Sequence, residues 1–316
     1  MSDAYDLADE PSPHQVGMTW AGDTTFARFP RFQPGTPADL AVQGVAYDLG
    51  VTNRPGSRFG PRAVREQSSL SGEFEHALWP WPEGALGGHV CVDAGDVPFP
   101  PGTTDMMMTA VQGRTSALIA SGLGVVSLGG DHLVSLPLLR AHAEHYGQMA
   151  LVHFDAHSDT WEYREDDPLH HGMMFLKAAR EGLVEPASSV QIGMRTPNDT
   201  KGFNVYDMNK VVDLSVAQIA DLIREHTQGM PIYLTIDIDA LDPAFAPGTG
   251  TPVIGGMTTA QLRGVLFRLH GLDIVGADLV EVAPHYEGPA QITALAGATI
   301  AHDELHLLAA SPRRTR

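Results

Sequence analysis

Short apolar runs separated by segments of helical length constrain the fold of this chain more than any other feature. Nearly continuous apolar strands are typical of a parallel sheet that is covered on both faces. The runs that we predict as strands are Leu40–Tyr47, Val90–Val92, Val125–Leu128, Ala150–Phe154, Ser189–Ile192, Ile232–Ile236 and Ile274–Leu279.

The segments between these runs have the length and pattern of helices. Alternating strands and helices predict an α/β protein with three α/β/α layers and a mostly parallel central sheet. The predicted helices are Pro61–Ser69, Met106–Ser121, Leu133–Tyr146, Phe175–Glu181, Ser215–His226, Thr259–Leu269 and Ala290–Ala309.

The chain divides into an N-terminal arm and one large domain. Residues 1–37 are rich in proline, glycine and scattered aromatic residues, and we expect them to pack on the surface of their own or a neighbouring subunit. Residues 38–316 are predicted to form a single domain, since α/β folds of this length often form one unit.

Composition excludes several classes of partner. Lysine and arginine number 20 against 38 aspartate and glutamate residues, a net charge of −18 that disfavours nucleic acid and anionic membranes. A small cationic ligand or a metal ion fits better. The single cysteine excludes an intrachain disulfide, residues 1–15 lack an export signal, and no apolar run has membrane-spanning length. We therefore expect a cytoplasmic protein.

Acidic and imidazole side chains follow three of the predicted strands. The segments are Gly129–His132, Asp155–Asp159 and Asp237–Asp239. In open α/β sheets, ligand sites gather beyond the carboxyl ends of the strands, so these side chains should meet. Carboxylates mixed with imidazole suit divalent cations. The predicted metal ligands are His132, Asp155, His157, Asp159, Asp237 and Asp239.

The spacing of these residues fits two cations better than one. In extended chain, alternate side chains share a face about 6–7 Å apart, so residues at i, i+2 and i+4 can bracket cations roughly 3.5–4 Å apart. Such a pair lowers the pKa of bound water toward neutrality. One aspartate or histidine alone is more often a helix cap or a satisfied core group, but six at three strand ends are hard to explain in that way.

Five motifs between about Val42 and Leu308 stand out: Gly129–His132, Phe154–Asp159, Leu234–Asp239, Pro247–Pro252 and Val280–Pro284. On these motifs, nearly the whole chain resembles the ureohydrolases, the family that includes arginase and agmatinase. The resemblance implies an arginase-like fold, hydrolysis of a guanidinium group to urea and an amine, and two manganese ions per chain; the sequence does not decide between manganese and nickel. The resemblance also implies a homotrimer or homohexamer.

The resemblance assigns the ligands of each manganese, with Asp155 and Asp237 bridging the two. One ion would be held by His132, Asp155, Asp159 and Asp237. The other would be held by His157, Asp155, Asp237 and Asp239.

The resemblance also implies three roles around the substrate. His171 matches the family's histidine proton shuttle, Glu281 the carboxylate that holds the guanidinium, and Thr251 a hydroxyl that contacts the substrate. The residues alone do not decide whether His170 shares the role of His171.

Agmatine, which would yield putrescine and urea, is the expected substrate, because the agmatinase branch is nearest and agmatine is a dication. The loop between Asp159 and His171 should select the substrate tail, and Trp161, Arg164 and Met173 are predicted to contact it. Arg164 would suit a carboxylate tail, so guanidinobutyrate, guanidinopropionate and small substituted guanidines stay open as alternatives.

Two other readings compete with a ureohydrolase. Deacetylases resemble this fold but use a single zinc, and the presence of both His132 and Asp239 counts against them. A non-catalytic paralogue would usually have lost ligands, whereas this chain keeps all six, together with His171 and Glu281.

Overall fold

An eight-stranded sheet forms the centre of the molecule in a computed structural model that describes residues 18, 20–70, 79–81, 85–197 and 199–314. Every ladder between these strands is parallel. The strands are β1 (Leu40–Gly44), β2 (Cys91–Asp96), β3 (Gly124–Leu128), β4 (Ala150–Phe154), β5 (Val190–Met194), β6 (Asn204–Asp207), β7 (Ile232–Asp237) and β8 (Ile274–Val280).

The strand order places the predicted functional segments side by side. It runs β2-β1-β3-β8-β7-β4-β5-β6, so the four central strands are β3, β8, β7 and β4. Because parallel strands end at the same edge of a sheet, the residues that follow these four strands lie together. The segments that carry the predicted metal ligands lie at the ends of β3, β4 and β7, and Glu281 follows β8.

Helices cover both faces of the sheet. They are α1 (Gly60–Ser68), α2 (Thr104–Ala120), α3 (Ser135–Tyr146), α4 (Met174–Arg180), α5 (Met208–Val211), α6 (Val216–His226), α7 (Thr259–Arg268) and α8 (Ile292–Ala309). Apolar side chains of α1, α6, α7 and α8 pack on one face, and those of α2, α3 and α4 pack on the other. The prediction of a three-layer α/β/α fold is therefore confirmed.

The edges of the sheet differ from the sequence prediction. Strand β6 and the short helix α5 were not predicted, because the four residues of β6 are only half-buried at the sheet edge and lack an apolar run. The strand predicted at Val90–Val92 extends through Asp96 instead. Edge elements carry a weaker hydrophobic signal, since only part of their surface is covered.

The described part of the predicted arm contacts the sheet. Phe26 is fully buried in the core, its backbone N–H donates to Asp93 Oδ2 at 2.7 Å, and Arg31 forms a parallel bridge with Asp93. Residues 1–17 and 19 lie outside the described residues. The prediction that residues 1–15 lack an export signal therefore stays a prediction. Among the helices that are described, none has the length and apolar character needed to cross a bilayer.

Candidate metal centre

The ring of His132 faces three carboxylates. Its Nδ1 lies 3.1 Å from Asp155 Oδ2, 3.1 Å from Asp159 Oδ2 and 3.5 Å from Asp237 Oδ2. The ring is fully buried, and the three carboxylates are buried as well. These residues come from the ends of β3, β4 and β7, so the structure brings together side chains that are more than 100 residues apart.

His157 faces the other side of the same cluster. Its Nδ1 lies 3.3 Å from Asp155 Oδ1 and 3.1 Å from Asp239 Oδ2. The two oxygens of Asp155 therefore face different histidines. All six predicted ligands, His132, Asp155, His157, Asp159, Asp237 and Asp239, lie in one group that we call the ligand cluster.

Local backbone contacts hold the carboxylates in place. Asp237 caps the turn that follows β7, because its Oδ1 accepts the N–H of Asp239 at 2.7 Å. Asp239 Oδ1 in turn accepts the N–H of Ala156 at 3.0 Å, which ties the end of β7 to the end of β4. Asp159 has a left-handed backbone with φ of 51°. Such strained conformations persist where the surrounding structure fixes them, often at functional sites.

The protonation preferences of the ligand cluster show a shortage of positive charge. Burial and the neighbouring carboxylates Asp239 and Asp155 raise the pKa of Asp237 well above its usual range. Burial alone would lower the pKa of His132, but three carboxylates outweigh it and raise that pKa well above its usual value. The raised pKa values of Asp237 and His132 thus reflect negative charge that a bound cation would balance.

The residues present fit a metal ion. Among the described residues, His132 Nδ1 has no hydrogen-bond partner, although three carboxylate oxygens lie within 3.5 Å of it. Oxygen ligands arranged around an imidazole nitrogen in this way match a divalent cation rather than a hydrogen-bond network. Two overlapping sets of side chains have ligand atoms within 4.8 Å of one another: His132, His153 and Asp155, and Asp155, His157 and Asp239.

His153 was not predicted from the sequence. Its Nε2 lies 2.7 Å from Asp155 Oδ2, and its Nδ1 lies 3.1 Å from the Gln191 side-chain nitrogen. The side chain belongs to β4 itself, two residues before Asp155, so it shares a face with that ligand. A polar residue inside an apolar run was the signal that would have identified it.

His171 and Glu281 form a pair beside the ligand cluster. His171 Nδ1 lies 2.7 Å from Glu281 Oε1, which also accepts the backbone N–H of His132 at 2.9 Å. Burial alone would lower the pKa of His171, but the hydrogen bond and charge of Glu281 outweigh it and raise that pKa to about 9. The contact with Glu281 therefore favours the protonated form of the ring.

Thr52, also absent from the sequence prediction, gives the second nitrogen of His171 a partner in both protonation states. The Thr52 hydroxyl lies 2.7 Å from Nε2, and the Thr52 backbone N–H donates to the same nitrogen at 3.0 Å. A neutral ring can accept from the N–H, whereas a protonated ring can donate to the hydroxyl oxygen. This arrangement suits a histidine that gains and loses a proton.

Glu281 is held in an unusual backbone conformation by the turns around it. Its φ is 64°, and its backbone N–H donates to the Gly130 carbonyl at 2.8 Å. A side chain at position 130 would overlap the Tyr47 carbonyl, so glycine is needed for this close approach.

The structure places two of the predicted substrate residues, Thr251 and Trp161, close to the ligand cluster and the turn that carries His171. The Thr251 hydroxyl donates to Asp239 Oδ2 at 3.2 Å. Trp161 is 46% exposed, its backbone N–H donates to the Gly172 carbonyl, and its ring centre lies 5.8 Å from that of His170. Thr251 thus touches the ligand cluster, and Trp161 stands beside the turn that carries His171.

Arg164 and Met173, the other two residues predicted to bind the substrate tail, contact other parts of the chain. The Arg164 side chain is 80% exposed and lies 3.6 Å from Asp166 and 3.4 Å from Asp167. Met173 is buried and packs with Tyr163 and Leu176. Their roles in tail binding stay predictions.

The chain is similar to known proteins over most of its length. Residues 38–306 match the Arginase family. The agmatinase of Proteus mirabilis is 50% identical over 288 residues, which cover 90% of this chain and 93% of that protein. The agmatinase of Photorhabdus laumondii is 49% identical over 291 residues, covering 91% and 94%.

Solved structures share the fold. A hypothetical agmatinase from Burkholderia thailandensis superposes with a TM-score of 0.86 at 42% identity, covering 92% of each chain. Proclavaminate amidino hydrolase from Streptomyces clavuligerus gives the same TM-score at 36% identity, covering 94% of this chain and 99% of that one. The chain therefore belongs to the arginase family and is an enzyme of the ureohydrolase class.

Proposed function

We propose that this enzyme hydrolyses agmatine to putrescine and urea with two manganese ions held by the ligand cluster. The observation that carries the proposal is the convergence of four carboxylates and two imidazoles beside the His171–Glu281 pair. When bound, two divalent cations would lower the pKa of water toward neutrality and so supply the nucleophile for the guanidinium carbon. The similarity to curated agmatinases supports the choice of substrate.

In this ligand assignment, Asp155 and Asp237 would each hold both cations. His132 and Asp159 would complete the ligand set on one side, and His157 and Asp239 on the other. The charges of four carboxylates would balance those of two divalent cations, so the cations would supply the positive charge that the buried cluster lacks.

Glu281 and His171 would act on the substrate directly. The Glu281 carboxylate is buried, so its charge attracts a guanidinium strongly, and its geometry is fixed by contacts from His132 and His171. His171 would give its proton to the leaving amine, with Thr52 holding the ring in either protonation state. Thr251 would place its hydroxyl beside the substrate.

The test is urea release from a panel of guanidines, with metal content measured on the same sample. The panel contains agmatine, guanidinobutyrate, guanidinopropionate, arginine and guanidine. We expect the highest kcat/KM for agmatine and two manganese ions per chain. Faster hydrolysis of guanidinobutyrate would instead assign a carboxylate-tail substrate, and no urea from any guanidine would reject the proposal.

The homotrimer or homohexamer and the cytoplasmic location stay predictions. Light scattering would measure the oligomeric state.

A further inference from the structure

A row of buried polar side chains crosses the sheet directly beneath the ligand cluster. Six neighbouring strands each place one polar residue at the same register position, and every one is at most 1% exposed. We call this set the polar row. From β1 to β5 it consists of Gln43, Ser127, Asp278, Thr235, His153 and Gln191.

Such a row weakens an apolar sheet unless its members are hydrogen-bonded, since each buried polar group costs free energy when it leaves water. Register partners on parallel strands share a face, and here it is the face covered by α2, α3 and α4. An apolar row would serve the core equally well. The polar row therefore calls for a purpose other than packing.

One part of the polar row holds His132 through a relay of hydrogen bonds. The Thr235 hydroxyl donates to Asp278 Oδ1 at 2.6 Å, because a carboxylate accepts. Its only hydrogen is then used, so Thr235 Oγ1 must accept from His132 Nε2 at 2.9 Å. The Nε2–H of His132 is thereby fixed, and Nδ1 faces the carboxylates of the ligand cluster.

The Asp278 carboxylate is itself surrounded by donors. The hydroxyls of Tyr233 and Ser135 donate to its Oδ2 at 2.7 and 2.8 Å. Burial raises the pKa of Asp278, while the neighbouring His132 and the three hydroxyl hydrogen bonds act in the opposite direction. An ionised carboxylate can accept hydrogen bonds from all three hydroxyls through its two oxygens.

A second part of the polar row holds Asp155 in the same way. The Gln191 side-chain N–H₂ donates to the Ser158 carbonyl at 2.6 Å and to His153 Nδ1 at 3.1 Å. Because Nδ1 accepts, the neutral ring carries its hydrogen on Nε2, which donates to Asp155 Oδ2 at 2.7 Å. Asp155 is thereby held as an acceptor.

We infer that Thr235 and His153 are positioning residues that fix the proton arrangement of two metal ligands, His132 and Asp155, from beneath the site. The inference rests on the proposed metal centre. Outer partners of metal-bound histidines set the ring orientation and its basicity. Thr235 and His153 would do this for two of the six ligands from one register level of the sheet.

The test compares Mn²⁺ affinity of full-length variants, with Mn²⁺ alone as the probe. Thr235→Val and His153→Phe remove one relay each, and each should weaken Mn²⁺ binding on the order of 10- to 100-fold. Thr235→Ser keeps the hydroxyl and should restore near wild-type affinity. Gln43→Leu is the matched control: Gln43 is equally buried in the polar row, but its side chain contacts Thr115 and Ser127 rather than a ligand.

Thermal unfolding of the metal-free proteins separates lost stability from lost binding. We expect Gln43→Leu to lower the unfolding midpoint as Thr235→Val does, yet to keep wild-type Mn²⁺ affinity. Nitrogen-15 spectra of histidine-labelled wild-type protein provide a readout without any variant, and they should show His132 protonated at Nε2.

Equal Mn²⁺ affinity in wild type, Thr235→Val and His153→Phe would overturn the inference, as would the same loss in Gln43→Leu or a His132 that lacks a proton at Nε2. The proposed function fails in a different way. If the wild-type chain binds fewer than two Mn²⁺ ions or releases no urea, the metal centre itself is wrong, whatever the variants do.

Discussion

The ligand cluster and the 160–170 loop both carry many charges, but the two regions hold them in opposite ways. The carboxylates of the ligand cluster are buried at the ends of central strands, where the ionisable groups beside them are other carboxylates and the histidines His132, His153 and His157. In the loop, Arg164, Glu165 and Asp166 are at least 80% exposed. Water can replace each partner in the loop, whereas the cluster needs cations.

This difference predicts how each region responds to loss of one charge. A buried charge left without its partner is strongly unfavourable, while an exposed ion pair contributes little. Variants in the ligand cluster should therefore abolish metal binding, and variants in the loop should change at most the choice of substrate.

Asp155→Ala should have the largest effect. Asp155 faces both histidines of the ligand cluster, so in the proposed ligand assignment its loss would remove a ligand of both cations. We expect metal content to fall from two ions toward zero and urea release to fall further than in any other variant described here. Metal analysis and a urea assay measure both. Asp166→Ala, which removes an exposed carboxylate from the loop, is the control, and an Asp155→Ala protein that kept both metals would contradict the ligand assignment.

His171→Ala should come second. A positioned general acid typically contributes about 10²–10⁴-fold, so kcat should fall by about that factor while two metal ions stay bound. His170→Ala is the matched control, because it removes the neighbouring ring and leaves the contact with Glu281 intact. If His170→Ala lost as much kcat as His171→Ala, the two histidines would share the proton transfer.

The pH dependence of His171 should follow from its contact with Glu281. The pKa of His171 is raised from 6.5 to about 9 in the folded protein. A raised pKa stabilises the fold fully below pH 6.5, and the stabilisation is lost as pH rises through about 9. The free energy of unfolding of wild type should thus fall over this range relative to that of His171→Ala, and urea release should fall above pH 9.

Glu281→Gln sharpens this prediction. Loss of the carboxylate charge removes the main cause of the raised pKa, so the difference in stability between pH 6.5 and 9 should shrink. Denaturant unfolding at several pH values measures it. An unchanged pH profile in Glu281→Gln would show that another group titrates.

The same contrast explains what the sequence could predict. Ligands at the ends of buried strands were identifiable, because the apolar runs mark the strands and parallel strands end at one edge. His153 and Thr235 were missed although each is the polar residue within an apolar run of that kind. Their partners lie on neighbouring strands, and strand order is not written in the sequence of any single run.

Residues 160–170 show where sequence reasoning stops. Charge in this loop left the choice of tail open, since Arg164 would suit a carboxylate tail, and the structure instead pairs Arg164 with Asp166 and Asp167. Glu162 likewise pairs with Arg180 and Lys201. Which pairs form in an exposed loop depends on backbone turns, such as the Arg164 N–H donated to Asp167, rather than on periodicity.

Arg164→Ala should have the smallest effect of these variants. Its ion pairs are exposed, so the denaturation midpoint should stay at the wild-type value and both metals should remain bound. The informative measurement is the KM for two substrates, agmatine and guanidinobutyrate. A KM raised in Arg164→Ala for guanidinobutyrate alone would show that Arg164 of the wild type breaks its ion pairs with Asp166 and Asp167 and pairs with the carboxylate tail instead. Unchanged KM for both substrates would mean that the loop's ion pairs stay closed during catalysis, so that selection of the tail falls to less exposed residues such as Trp161.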